Sequence, residues 1–305
     1  MDTVLERLLP GARVAVLRLR SLGDCVLTTP ALHLLKKARP DLQVAIIVED
    51  RFAAIFDGNP DVGAILLPAA SELRRWRPDL TLNLHGGSLS ARLTVLSRAR
   101  LRAGFAHFRF RFLYNLRFPT AQEILGVKRK VHTAEHLASA MFWLGVPHAE
   151  IPRARLFSPP SEFQHAYAIL HPKASSPEKT WSAANFLAIA RHLRDSLDLE
   201  PLFIAGPGES LAEFAEFRCI SGAPLRRTMS LISGAKLFIG NDSGPAHIAA
   251  AFGVPSLVFF GASDPEIWRP WKADSSTVLS SPDLSAVEVE QARESIENLH
   301  VRLRA

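Results

Sequence analysis

Apolar and polar positions along the 305-residue chain alternate in blocks, not singly. Short continuous apolar runs occur at RVAVLRL (13–19), QVAIIVE (43–49), AILLP (64–68) and LTLNL (80–84). Segments with helical character near 25–38, 51–57 and 69–76 separate them. Unbroken runs of this length fit strands covered on both faces. Strand and helix in alternation predict a parallel sheet with right-handed crossovers. The pattern breaks around 150–162, in GVPHAEIPRARLFSPPSE, which holds four prolines and no periodicity and is read as a linker. Alternation resumes with YAILHP (167–172), EPLFIAG (200–206), KLFIG (236–240) and SLVFFG (256–261). Helices are predicted near 183–197, 209–216 and 245–252, and a closing helix over about 284–300. The expected class is α/β: two doubly wound halves, residues 1–158 and 159–305, with the last helix a candidate to pack back on the first half. Ligands in such sheets bind beyond the carboxyl ends of the strands. The cleft expected between two such halves is the natural site.

Composition narrows the function classes. No apolar run approaches the roughly 20 residues that span a bilayer. The beginning, MDTVLERLLPGAR, lacks a signal-peptide core, so a cytoplasmic location is expected. The two cysteines, Cys25 and Cys219, form no CxxC, which excludes a cysteine zinc site and a disulfide framework. Net charge is +6, unevenly spread: residues 1–158 carry 23 basic and 13 acidic side chains, or +10, and residues 159–305 carry 13 and 17, or −4. From Arg92 to Lys130 there are ten basic residues and one acid, Glu123. Such a field suits an anionic partner or an anionic membrane surface, or else is a solvated face.

Several motifs can carry chemistry. In KLFIGNDSGPAHIAAAFGVPSLVFFG a strand ends and Asn241, Asp242, Ser243 and Gly244 turn into a helix with Pro245 early in it. The free N–H groups of that helix start make an anion site, or Asp242 or Ser243 simply caps it. His247 sits where it either touches phosphate or is a satisfied helix histidine. In HPKASSPEKTWSAANF, Lys173 and Lys179 precede a helix capped by Ser182, and Trp181 is either a ligand contact or a core anchor. In FIAGPGESLAEF, Glu209 opens a predicted helix and is a candidate partner for a ribose diol, or a dipole-stabilised surface acid. AGPGES is not GxGxxG, and no nicotinamide fingerprint occurs elsewhere.

In RVAVLRLRSLGDCVLTTPALHLLKK, Asp24 follows the first strand beside Arg18, Arg20 and Ser21. It is either a helix cap or a general base. Pro30 either kinks a helix from Asp24 or begins one at Thr29. The segment AGFAHFRFRFLYNLRF alternates Phe108, Phe110 and Phe112 with Arg109 and Arg111, as on a half-buried strand or an interfacial segment. LNLHGGS places His85 just after a strand, and HTAEH is not the HExxH of a metal site.

RLRSLGDCVLTTPAL, HPKASSPEKTWSAANF and GNDSGPAHIAAAFGVPSLVFFGASDPEIWRPW together resemble glycosyltransferase family 9, the bacterial ADP-heptose:lipopolysaccharide heptosyltransferases. They occur in the family's order and span both halves. The resemblance implies a GT-B fold, two Rossmann-like domains facing across a cleft, with the acceptor on the first and the nucleotide sugar on the second. It implies Asp24 as catalytic base, with Arg18, Arg20, Ser21 and His85 on the acceptor side. Lys179, Trp181, Glu209, Asp242, Ser243, Gly244 and His247 fall to the donor. It also implies inverting heptose transfer from ADP-heptose to the lipid A-linked inner core, without bound metal or cofactor. The partners expected are that donor and an anionic glycolipid at the inner membrane, with peripheral membrane contact and no nucleic acid. The alternatives are a related transferase with another nucleotide sugar or a protein acceptor, or an inactive nucleotide-sugar or glycan-binding protein.

Overall fold

The computed structural model describes residues 3–273 and 275–304. The chain forms two compact units, Met1–Phe157 and Ser158–Ala305. In the first unit the strands are β1 (Arg13–Leu17), β2 (Gln43–Ile47), β3 (Ala64–Leu66), β4 (Leu80–Asn83), β5 (Leu101–Phe105) and β6 (Leu116–Phe118). Its helices are α1 (Leu22–Ala38), α2 (Ala70–Trp76), α3 (Ser88–Leu96), α4 (Ala121–Leu125) and α5 (Thr133–Leu144). The second unit holds β7 (Tyr167–His171), β8 (Glu200–Ala205), β9 (Arg218–Ser221), β10 (Leu237–Asn241), β11 (Ser256–Phe260) and β12 (Ser276–Ser280). With them are α6 (Ala183–Leu197), α7 (Leu225–Gly234), α8 (Gly244–Phe252), α9 (Pro265–Trp268) and α10 (Val289–Arg304).

Each unit is one parallel sheet of six strands, ordered β3-β2-β1-β4-β5-β6 and β12-β11-β10-β7-β8-β9. Both are doubly wound, with strands added outward on either side of the first strand. The direction of winding reverses between β1 and β4, and again between β7 and β10. Loops leaving those strands in opposite directions open a crevice at their carboxyl ends.

Local chemistry explains the elements that frame these crevices. Helix α1 runs through Pro30, so of the two alternatives the helix starts ahead of Asp24 and not at Thr29. The carbonyl of Val26, which loses its usual N–H partner at Pro30, accepts the Thr29 hydroxyl at 2.9 Å instead. Helix α5 begins where His132 Nδ1 accepts the Ala134 N–H at 3.1 Å and ends at Gly145, with φ +117°. The helix expected over 209–216 is only a short 3₁₀ turn, Ala212–Phe214. The Phe/Arg segment is not a strand: Phe108–Phe112 turns between β5 and β6, with a 3₁₀ turn at Arg111–Leu113. Helix α10 buries Ala292, Ile296 and Leu299 in the core of its own unit, beside Phe186, Phe259 and Trp181. No helix among the described residues is long and apolar enough to cross a membrane.

Candidate active site

In the first unit the chain leaves β1 at Arg18 and turns through a cis Arg20–Ser21 peptide into α1. Asp24 is the third residue of that helix. One carboxylate oxygen accepts the Ser21 N–H at 3.2 Å and its hydroxyl at 2.9 Å; the other takes Arg18 Nη1 at 3.2 Å. Asp24 therefore does cap the helix start, and a fifth of its side chain still reaches solvent (20% exposed). Arg18, by contrast, is buried, with 8% of its side chain exposed. Its guanidinium is turned to Asp24 and away from solvent, so it holds the carboxylate in place. Burial lowers the Arg18 pKa, and the Asp24 carboxylate opposes that shift. Arg20 and Ser21 are exposed beside it. The neighbouring Cys25 thiol is pushed up to about 12 by burial and stays protonated.

The other side of this crevice is the loop after β4. Buried Asn83 accepts the N–H groups of His85 and Gly86, each at 3.0 Å, and donates to the Tyr114 hydroxyl at 2.9 Å. Gly86 has φ +79°, and a Cβ there would come within 2.7 Å of the Phe108 ring. The loop is thus held from both ends, with His85 half-buried in the field of Arg18, Asp24 and Arg20. Burial lowers the His85 pKa, helped by the Arg18 and Arg20 cations and opposed by Asp24. His136, from α5, also lies in the field of this ion pair and stacks on Phe105 at 4.1 Å. Its ring is 5.6 Å from that of His107. In sequence His136 enters only as part of HTAEH, and Asn83 carries a single signal, a polar residue ending a buried apolar strand.

In the second unit Lys179, Asp242, Ser243, Gly244 and His247 gather at the equivalent crevice. Lys179 ends a 3₁₀ turn, Pro177–Lys179, and its Nζ lies 3.6 Å from Asp242 Oδ2. Ser243 is the N-cap of α8, with Gly244 and Pro245 opening the helix and no cap bond from the Ser243 side chain. The Ser243 hydroxyl is 3.2 Å from His171 Nδ1. His247 is buried one turn further along α8. Gly261 is pressed against the Glu178 carbonyl, so a side chain there would displace the turn that carries Lys179.

Trp181 is placed differently from the donor contact expected of it, and Glu209 sits in a turn and not at a helix start. Trp181 is 1% exposed: its ring stacks on Phe259 at 4.2 Å and its Nε1 donates to the Val287 carbonyl at 2.9 Å. No face of it is left for a ligand, so it is the core anchor. Its backbone N–H donates to buried Asn241 Oδ1 at 3.0 Å, while Asn241 Nδ2 donates to the Pro172 carbonyl at 2.8 Å. Asn241 thereby ties the Lys179 loop to the Asp242 turn. Glu209 opens no helix; its Oε2 accepts the Gly206 N–H at 2.6 Å and closes the β8 turn. Among the described residues no group of three or more His, Cys, Asp or Glu side chains could hold a metal ion.

Two histidines, half-buried His136 and buried His171, link these crevices to pH. Burial holds His136 and His171 each down to about 4, from an ordinary 6.5. Between those values the unfolded chain binds more protons than the folded one, so stability falls as pH drops through this window. The expected loss is about 2 kcal/mol per histidine by about pH 5. Denaturant unfolding at neutral pH and at about pH 5 measures it, and a pH-independent midpoint refutes it. His136→Phe, which keeps a ring against Phe105, removes the first unit's share.

The fold has known counterparts. The family model described as Glycosyltransferase family 9 (heptosyltransferase) matches residues 68–299. Lipopolysaccharide heptosyltransferase 3 of Escherichia coli is 29% identical over 290 residues, spanning 82% of this chain and 83% of that protein. A crystal structure of the glycosyl transferase family 9 protein from Veillonella parvula superposes with a TM-score of 0.84 at 21% identity, covering 96% of this chain and 98% of that one. The E. coli ADP-heptose lps heptosyltransferase II gives a TM-score of 0.80 at 17% identity, covering 96% and 100%. The fold is of the GT-B class, built from two Rossmann-like units. With the family matched over most of its length, the chain belongs to glycosyltransferase family 9, the heptosyltransferase family.

Proposed function

We propose that the protein transfers a heptose from ADP-heptose to the inner core of lipopolysaccharide, inverting the anomeric centre without a metal in the transfer step. The observation that carries this reading is the pairing of Lys179 with Asp242 beside the open start of α8. An ammonium group and oriented backbone N–H groups are what a leaving diphosphate needs as its charge grows. Asp24 then takes the proton from the attacking acceptor hydroxyl as the bond to the diphosphate breaks through an oxocarbenium-like state. Attack opposite the leaving group inverts the centre. Arg18 keeps the carboxylate aimed, while Arg20, Ser21 and His85 meet the acceptor. Gly244 and Ser243 lie against the diphosphate with His247 behind them, and Glu209 offers its second oxygen to the ribose. Names of relatives support the donor and acceptor: one is a lipopolysaccharide heptosyltransferase and one an ADP-heptose enzyme.

Incubation with ADP-heptose and heptose-deficient lipopolysaccharide, following ADP release and product mass together, is expected to show one added heptose per ADP. Turnover with a different nucleotide sugar and none with ADP-heptose would overturn the donor assignment.

A further inference from the structure

The Phe/Arg segment has no part in the proton or phosphate chemistry, yet it adjoins the acceptor-side crevice. Phe108 packs against Gly86, next to His85. The next residues turn outward, and Phe112 is 69% exposed. Helix α3 sits against this turn. It buries Ser90, Ala91, Leu93 and Thr94 and presents Leu89, Arg92 and Val95, spaced by three, on its outer face. Of the six large hydrophobic residues exposed among those described, Leu89, Val95 and Phe112 fall on these two neighbouring elements. Single exposed apolar side chains are ordinary; several together, interleaved with arginines, are not.

The charged side chains that these two elements carry are all basic. Arg92, Arg109 and Arg111 lie on this face, and the Arg109 guanidinium lies over the Phe110 ring, which in turn meets Phe112 edge-on. Glu123 is the only acid between Arg92 and Lys130, and it is occupied with the Thr120 N–H and hydroxyl at 2.7 Å each. Arginines beside exposed aromatic and aliphatic side chains match a headgroup layer, where phosphates lie above an apolar boundary.

We propose that the face made by α3 and the Arg109–Leu113 turn docks the protein on an anionic phospholipid bilayer. Phe112, Leu89 and Val95 enter the headgroup–acyl boundary, and Arg92, Arg109 and Arg111 pair with lipid phosphates. Docked so, the His85 loop, which shares the Phe108 contact, is held at the surface from which a lipid-linked acceptor emerges. That consequence rests on the proposed acceptor; the docking itself does not.

The test uses the full chain and vesicles that carry no acceptor, either phosphatidylcholine alone or phosphatidylcholine mixed with phosphatidylglycerol. Co-sedimentation is expected only with the anionic vesicles and is weakened by salt. Arg109→Ser and Arg111→Ser should each lower the partition coefficient roughly fivefold. Phe112→Ser should lower it as well, and Leu89→Ser with Val95→Ser tests the α3 side independently should the turn variants fold poorly. Thermal unfolding identifies variants that retain the wild-type fold. Equal binding to both vesicle types, equal binding by folded variants and wild type, or binding to a single-stranded oligonucleotide but to no vesicle would each overturn the proposal. A protein that binds anionic vesicles yet transfers no heptose would sink the functional reading and leave this one standing.

Discussion

Asp24→Asn is expected to lower turnover by about 10²- to 10⁴-fold, the range over which a positioned general base acts. ADP affinity should stay as in the wild type, because the proposed diphosphate site lies in the second unit's own crevice. The substitution keeps the shape of the side chain and one acceptor oxygen for Ser21 or Arg18. It removes the negative charge, and Arg18 is then a buried cation with no carboxylate beside it. Truncating one member of a buried ion pair costs up to about 3–5 kcal/mol. The amide that replaces the carboxylate can still accept a hydrogen bond, and the site is part-exposed, so the loss here should be smaller. Turnover must therefore be compared at a temperature where both proteins are folded. Wild-type turnover by a folded Asp24→Asn protein would remove Asp24 from the base role and leave it as the cap of α1.

Lys179→Ala should act on the donor instead. A charged contact to phosphate is worth about 1.5–3 kcal/mol, so ADP affinity is expected to fall roughly 10- to 100-fold. The loss has two sources. The ammonium no longer meets the diphosphate, and Asp242 is left as an unscreened carboxylate, 11% exposed, beside the anion site. Lys179→Ala combined with Asp242→Ala should therefore recover part of the affinity. Trp181 and Asn241 still anchor the loop in either variant, so thermal stability should change little. Titration calorimetry with ADP decides the matter: unchanged affinity in Lys179→Ala would take the lysine out of the phosphate site.

Much of the framework was legible because buried parallel strands are unbroken apolar runs. Strands β1, β2, β3, β4, β7, β8 and β11 all fall within the runs read as strands, and β10 passes its run by one residue, Asn241. Strands β5, β6, β9 and β12 fall in no run read as a strand; the last three lie at sheet edges, while β5 is interior. Residues Arg218–Ser221 of β9 are largely exposed, so no apolar run marks them. The Phe/Arg alternation did look like a strand. It forms turns because β5 and β6 are parallel neighbours, and the chain must travel back between them.

What the sequence determined by itself is local. Asp24 sits at a strand-to-helix turn, and Ser243–Gly244–Pro245 opens a helix on the heels of another strand. Turn and cap chemistry act over three or four residues, and a motif carries them whole. Only the tertiary structure decided what each side chain meets. Strand order brought Arg18 and Asp24 beside the His85 loop, and the His171–Lys179 loop beside Asp242. It also buried Trp181 and Arg18 and left Phe112 in solvent. Burial and pairing depend on which strands become neighbours, and that is settled by the packing of segments tens of residues apart.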